Sequence, residues 1–466
     1  MGSKKTIIIG GGPAGIAAAY ELSRRGRPAL LLEQFNQLGG IARTEKQQGY
    51  YFDLGGHRFF TKNKEINQLW RQLLGGDFLT RRRLSRIYYQ RKYFNYPLKP
   101  WNALNGLGLL ATIKILLSYL KQKVWPIVNE ISFADWVTNR FGRRLYEIFF
   151  KSYTEKVWGI SCAEISAEWA AQRIKGMSLT SAVLNAIGIG RKNKIKTLID
   201  QFNYPRYGPG MMWEAMAKCI GSWGGEIRLN SQVTALEFTD SRLDGLIVND
   251  SERIAVEECI SSLPLKELFM HANCNSSLTN QAGSLRYRSL IIVVLLIGEE
   301  HIFPDNWLYI HSPEVRLGRV QNFKNWSPDM VFDQAKTCLG LEYFCDAGDE
   351  FWHRQDQDLI DLGGNELWQI GLLKTTTKVI QGWVVRVKDA YPVYDANYQM
   401  VIGPLRAYLA TIRNFQTIGR AGMHRYNNMD HAMLTGLYAA RNVINGNRQY
   451  DLWSINADQE YHEEEV

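Results

Sequence analysis

Apolar positions along this chain change period several times, and the changes mark its elements. Near the N-terminus Ile7 to Ile9 form a short β-branched run that predicts a buried strand. A glycine turn and the small-residue run Ala14 to Ala19 follow, reading as a helix packed close to a sheet; Leu30 to Leu32 make a second strand that Glu33 ends. From about 66 to 200 the apolar spacing is three and four, in "NQLWRQLLGG", "LLATIKILLSYLKQ", "SFADWVTNRFGRRLYEIFFKSY" and "SAEWAAQRIKG", which predicts a mainly helical region. Ser132 fits the N-cap of the third of these, with Asp135 in its first turn. "EECISSLPL" reads as a buried strand ending in a proline turn. From about 275 to 400, runs such as "RSLIIVVLLIGE" and "TCLGLEYFCDA" predict an antiparallel sheet. "QTIGRAGMHRYNNMDHAMLTGLYAARNVI" is a strand, a Gly-Arg turn and a helix.

The longest apolar run, Leu104 to Leu120, is interrupted by Asn105, Lys114 and Ser118. A spanning helix needs ~20 mostly apolar residues, so this one reads as a buried helix, with shallow membrane attachment as the alternative. The length of 466 residues predicts two or three cores, and 45% hydrophobic with 22% charged residues fits a folded chain. The net charge of +9 gathers at Arg81, Arg82, Arg83, Arg86, Arg91 and Lys92, and at Arg191, Lys192, Lys194 and Lys196. Such a surplus suits a solvated basic face, an anionic small ligand or an anionic membrane. No zinc-finger, RNP or helix-turn-helix signature accompanies it, so no nucleic-acid partner is expected. Six scattered cysteines without C-x-x-C, and an N-terminus that runs straight into a strand, predict a cytoplasmic protein with reduced thiols. Eight dispersed histidines give no metal site, and homo-oligomerisation is left open.

Gly10, Gly12 and Gly15 form G-x-G-x-x-G after a strand and at the opening of a helix, with Glu33 about 20 residues on. In that context the helix N-terminus can hold a pyrophosphate and the acid a ribose hydroxyl. Glu rather than Arg at that position speaks against a 2′-phosphate.

Four further stretches resemble the FAD-dependent amine oxidase and protoporphyrinogen oxidase superfamily. "QLGGIART" carries Gly39, Gly40 and Arg43; "FDLGGHRFF" carries Gly56 and His57; the C-terminal segment carries Gly419, Arg420 and Met429; and "GGEIRLNSQVTALEF" carries Val233. The resemblance implies FAD, with Val233 beside the adenine, Gly419, Arg420 and Met429 near the pyrophosphate and flavin, and His57 facing the flavin. It also implies an α/β fold: a discontinuous, Rossmann-like FAD-binding domain (1–65, 201–270, 401–447), a helical substrate domain (66–200), an antiparallel-sheet substrate domain (275–400) and an acidic tail (448–466).

Within the superfamily the chain is most similar to UDP-galactopyranose mutases. "SYTEKVWG" resembles their Y-T-x-K-x-W-G, "RKYFNYPLKPWNAL" their K-x-Y/F-N-x-P-x-N, and "GGHRFFT" and "GRAGMHRYNNMDHA" their flavin turns; "LEYFCDAGDEFW" and "DAYPVYD" resemble their later strands. The resemblance implies a small-molecule substrate of the UDP-sugar class, attacked through N5 of reduced FAD without net redox change. It makes Tyr153, Trp158, Tyr343, Tyr391, Tyr426 and Asn428 substrate residues, Arg173 and Arg319 clamps for the diphosphate, and His57 a catalytic candidate. Tyr153, Trp158 and Trp169 read equally well as core aromatics, and Arg173 as the partner of Glu168. The departures are Asn428 in place of an acid, Phe60 in place of a histidine, and "FNYPRYGPGMMWEAMA", which is closer to oxidases and desaturases. They keep a second reading open: an FAD oxidoreductase acting on an amine, a porphyrinogen or a lipid-like substrate.

Overall fold

The computed structural model describes residues 5–96, 102, 106–167, 200–395 and 397–456. Its first layer is a seven-stranded sheet assembled from distant parts of the chain. Lys5–Ile9 lies in the middle, parallel to Leu30–Leu32 on one side (Ile7 opposite Leu30) and to Glu252–Ser261 on the other (Ile7 opposite Cys259). Glu226–Arg228 extends one edge in parallel, and Phe415–Thr417 pairs with Glu252–Ser261, also in parallel. Parallel strands are covered on both faces, which is why Ile7, Ile8, Leu30 and Leu31 read as unbroken apolar runs and are fully buried. The hairpin Val233–Thr239 and Arg242–Val248 completes the sheet in antiparallel fashion.

Two helices cover one face of this sheet. Pro13–Arg24 starts with proline in its first turn, where no amide hydrogen is needed. Its small residues admit Met429–Asn445 at backbone distance: a Cβ on Gly436 would lie 2.0 Å from the Ala14 carbonyl oxygen. Arg441 of that last helix also bonds Glu21 (3.0 Å) of the first.

The second layer is a seven-stranded sheet in the order Val379–Pro392, Tyr287–Ile297, Thr337–Cys345, Arg319–Asn322, Trp307–Ile310, Ser85–Tyr89, Lys92–Asn95. Its strands within 275–400 pair antiparallel with one another. The mainly helical region 66–200 adds strands that the sequence did not announce: residues 85–95 form a hairpin that joins this sheet through a parallel pairing of Ser85–Tyr89 with Trp307–Ile310, and Phe78–Arg82 pairs with Gln201–Pro205. The hairpin turns through Gln90 and Arg91, both at positive φ, and Arg86 docks it by donating to the fully buried Asp305 at 2.9 Å through Nε. The sheet's faces follow the period of two. Ile291, Val293, Leu339, Leu341 and Tyr343 pack with Leu359 and Leu367 of the covering helix Asp356–Gln369, while Leu290, Ile292 and Phe344 join the core beneath the helical layer.

In that helical layer Ser132 caps Phe133–Phe141 with a full capping box: Asp135 N donates to Ser132 Oγ at 3.2 Å, and Ser132 N to the Asp135 carboxylate at 3.0 Å. Leu109–Val124 corrects the buried-helix reading. Only Ile115 and Tyr119 are buried, and the leucines of the opposite stripe face outward. Among the described residues no helix is long and apolar enough to cross a membrane.

The Gly436 contact gives a stability test. Gly436→Ala forces its Cβ into the Ala14 carbonyl, so the two helices must separate, at a cost of ~1–3 kcal/mol. A thermal melt should show a Tm several degrees lower; an unchanged Tm would mean the helices are not held at backbone contact.

Candidate active site

The glycine turn leaves a cradle shaped by what its glycines lack. Gly10 sits at φ +93°, and a Cβ on Gly15 would lie 1.9 Å from the Gly10 carbonyl. Both positions therefore require glycine to close the strand onto the helix. Gly12 is different: a Cβ there would approach no protein atom closer than the Gly40 Cα, at 4.0 Å. Gly12 and Gly40 thus face one another across a gap, and Gly39, at φ +109°, ties the two turns together by donating to Gly11 O at 2.8 Å. The helix behind has no side-chain cap and no acid in its first turn, so its amide dipole is left for an anion. Glu33 is buried, accepting from Gly11 N at 2.6 Å and Phe35 N at 2.9 Å; burial outweighs these bonds and raises its pKa. Arg43 donates to Glu45 at 2.6 Å and to Gly40 O at 3.1 Å. Gly419 donates to Thr435 Oγ1 at 2.9 Å, and a Cβ on it would come within 3.0 Å of Ala14. Met429 opens the last helix with Asn428 as its N-cap residue; Asn428 is exposed and makes no side-chain cap bond. Val233 is buried opposite Val248.

The turn that carries His57 follows the strand Tyr50–Asp53. Its footing is a buried network that sequence reasoning missed. Asp53 accepts from Thr44 Oγ1 at 2.8 Å and from the Tyr204 hydroxyl, and Gly210 N donates to Thr44 Oγ1 at 3.0 Å. Burial pushes the Asp53 carboxyl up to about 7. Trp213 Nε1 donates to Ala42 O at 2.7 Å. The oxidase-like segment "FNYPRYGPGMMWEAMA" is therefore a buttress for both glycine turns.

The turn that carries His57 packs on one face of the second sheet: a Cβ on Gly55 would lie 3.7 Å from Glu342, and one on Gly56 3.1 Å from Gln321. Tyr309, Arg319 and Glu342 are register partners on three adjacent strands and form a single row. Arg319 pairs with the fully buried Glu342 at 3.4 Å, and Gln321 Nε2 donates to Glu342 at 2.6 Å. Trp307, Tyr309 and His311 fall on alternate positions of the neighbouring strand and its exit. Arg58 and Arg83 lie over the Trp307 ring at 5.2 and 5.5 Å, and Arg319 lies 5.9 Å from the Tyr309 centroid. His57 Nδ1 is buried with no hydrogen-bond partner among the described residues. Burial, reinforced by Arg420 and Arg319, lowers the His57 pKa to about 3, so its imidazole is neutral.

"SYTEKVWG" forms the helix Ser152–Trp158, and it divides its labour. Tyr153 stacks on His311 at 4.7 Å and meets Tyr309 edge-on at 5.6 Å. Trp158 lies 6.4 Å from Tyr426, which stacks on Tyr391 at 5.8 Å, with Arg420 4.5 Å from the Tyr426 centroid. Burial raises the phenols of Tyr153 and Tyr391 against the pull of Arg319. Lys156 instead staples the helix to the sheet, donating to the carbonyls of Ser312 (2.6 Å) and Leu317 (3.2 Å), and burial lowers its pKa to about 8.

Of the sequence-derived candidates, His57, Tyr153, Trp158, Arg319, Tyr391, Arg420 and Tyr426 lie within one connected set of contacts, while exposed Asn428 and first-sheet Val233 stand apart from it. Tyr343 is corrected: it points to the opposite face of its strand, where its hydroxyl donates to Glu366 at 3.0 Å inside the core under Asp356–Gln369. Its neighbour Glu342 faces the site instead. Arg173 lies outside the described residues, as does Trp169. Sequence reasoning missed Glu342, Gln321, Tyr309, His311, Arg58 and Arg83. A lone acid inside the otherwise apolar "TCLGLEYFC" was the available signal.

Comparison with known proteins places this geometry. The phytoene desaturase (lycopene-forming) of Pantoea ananas is 24% identical over 284 residues, covering 56% of this chain and 55% of that protein. Coproporphyrinogen III oxidase of Mycobacterium tuberculosis is 27% identical over 219 residues, covering 43% and 48%. The chain thus spans about half the length of these curated relatives. A solved structure of reduced UDP-galactopyranose mutase shares the fold with a TM-score of 0.85 at 21% identity, covering 98% of each chain. The model of the family described as flavin containing amine oxidoreductase matches residues 13–444, from the first helix through the last. A match of that extent makes the chain a member of the flavin-containing amine oxidoreductase family, an enzyme with FAD as its cofactor.

Proposed function

We propose that this flavoenzyme acts on a nucleotide sugar or a related glycan precursor, with the cofactor in its reduced form. The observation that carries the reading is the strip of arginines on aromatic rings: Arg58 and Arg83 on Trp307, and Arg319 beside Tyr309. A guanidinium fork matches a phosphate's geometry, and the half-buried Tyr309 ring beside Arg319 offers a base a stacking partner, so the strip suits a ligand with both. The likeness of "SYTEKVWG" and of the whole fold to UDP-galactopyranose mutase supports the same reading.

In this reading the cradle residues Gly10, Gly12, Gly15, Gly39, Gly40, Gly56 and Gly419 let backbone approach the dinucleotide, with Glu33 on a ribose hydroxyl. Arg43 and Met429 lie near the pyrophosphate, and Val233 by the adenine. Bound flavin supplies an N5 atom that serves either as a nucleophile or as a hydride acceptor. Tyr153 and Tyr309 hold the base, and Arg319 takes the diphosphate, together with Arg173. Trp158, Tyr391, Tyr426 and Asn428 surround the sugar. Arg420 sets positive charge beside the flavin, and neutral His57 accepts or donates one hydrogen bond at Nδ1 without adding to that charge.

One observation favours the second reading, an oxidoreductase acting on an amine, a porphyrinogen or a lipid-like substrate. Arg319 is already paired with buried Glu342, and a carboxylate in that row repels a phosphate. The two readings part on what the flavin does. Dithionite-reduced protein should convert UDP-galactose or a related sugar nucleotide without consuming oxygen. Anaerobic bleaching of the oxidised flavin by an amine or porphyrinogen would overturn the mutase-like reading.

The cradle and His57 give two further tests. Gly12→Val points a side chain into the gap, so the variant should fold with an unchanged far-UV spectrum yet purify colourless; a fully loaded yellow protein would refute the cradle. Because the pKa of His57 is lowered to about 3, its charge stays constant from pH 5 to 8. The kcat profile should therefore show no limb near pH 6.5 assignable to it, and a limb there that His57→Gln abolishes would contradict the buried-imidazole geometry.

A further inference from the structure

The helix Leu109–Val124 is amphipathic in the wrong sense for a helix of a soluble core. Its outward stripe is Leu109, Leu110, Ile113, Leu116, Leu117, Leu120 and Val124, exposed by 40% (Leu116) to 77% (Leu110). At the helical repeat these positions fall within about a third of the circumference. The buried stripe opposite is narrower, formed by Ile115 and Tyr119. The apolar surface continues past the helix end through Trp125, Val128 and Ile131, exposed by 70%, 91% and 75%. Exposed apolar surface this continuous marks an interaction site.

The charges on the helix itself have one sign, and the nearby acids Glu130 and Glu147 are each paired with arginine. Exposed Lys114 and Lys121 lie along one edge and Lys123 along the other, and the helix contains no Asp or Glu. Arg143 and Arg144, in the short helix packed against it, are exposed and both pair with Glu147, at 3.2 and 3.6 Å, leaving one net positive charge there; Arg144 N donates to Ser118 Oγ at 3.1 Å. An apolar stripe edged by lysine on both sides matches the interface of an anionic bilayer, where leucines enter the acyl boundary and lysine stems reach back to phosphate headgroups. Trp125 at the helix end suits the headgroup level. A second copy of the chain fits less well, because a two-fold contact over this stripe would bring its three lysines against their copies.

We infer that Leu109–Val124, with Trp125, Val128 and Ile131, is a membrane-docking surface that lies in the plane of an anionic lipid leaflet. The docking helix packs on Phe133–Phe141 in the same helical layer as Ser152–Trp158, which bears Tyr153 and Trp158. The inference is independent of which flavin reaction the enzyme performs.

The test is co-sedimentation of the FAD-loaded protein with vesicles of phosphatidylcholine alone and of phosphatidylcholine with 30% phosphatidylglycerol, a fraction of the order used to mimic anionic leaflets. Wild type should partition onto the anionic vesicles at least ~10-fold more strongly than onto the neutral ones, with the difference falling as salt rises. Leu117→Glu/Leu120→Glu should abolish binding while keeping the bound-FAD spectrum and Tm. Lys114→Gln/Lys121→Gln/Lys123→Gln should weaken it by about 100-fold. Equal binding to both vesicle types, binding to neither, or a double-glutamate variant that still sediments would overturn the proposal. So would a wild-type dimer that ignores vesicles and is split by the double-glutamate change, which would assign the stripe to self-association.

Discussion

The structure turns on how closely backbone can approach backbone at the first turn. Gly15 must sit against the Gly10 carbonyl, Gly436 against the Ala14 carbonyl, and Gly12 must leave open the space between itself and Gly40. The first two contacts tolerate no side chain at native spacing, while a side chain at Gly12 would enter the open space itself. They draw the two ends of the described chain onto one helix and leave a gap bounded by amides. FAD binding follows from that geometry, because a dinucleotide pyrophosphate needs bare backbone and a helix dipole more than it needs any particular side chain.

The second sheet brings charge to that gap in a dry setting. Arg319, Glu342 and Gln321 sit within one cross-strand row and its neighbour, so the arginine's partner is determined by register rather than by a flexible loop. Desolvation governs the titration of nearby groups: His57 is held neutral, and Asp53 holds a proton far above the usual carboxylate range. A substrate entering this space meets fixed cations and ring faces with little water to screen them, so its charge pattern weighs heavily in selecting it.

Much of the cofactor side was legible in sequence because glycine spacing is a direct statement about backbone. The G-x-G-x-x-G turn, "QLGG" and the Gly-Arg turn each demand a conformation that little else satisfies. Ser132 and Asp135 were legible for the same local reason. The substrate side was less so, since it depends on which face of a strand a residue occupies. Tyr343 and Glu342 are neighbours, and a shift of one position exchanges core for site. The hairpin over residues 85–95 was masked by arginines, whose aliphatic stems and a buried partner, Asp305, let a charged run serve as strand. The Leu109–Val124 helix misled because periodicity reports an apolar face without saying what covers it.

The order of strands in the first sheet carries a consequence for biosynthesis. The central strand Lys5–Ile9 leaves the ribosome before one of its two neighbours, Glu252–Ser261, which arrives some 250 residues later. The helix that closes over Ala14 comes later still, at Met429–Asn445. At about 5–20 residues per second this leaves the apolar edge of Ile7 to Ile9 unpaired for tens of seconds. Until those segments arrive, the nascent chain holds its future flavin site open on one side, exposed to chaperones and to aggregation.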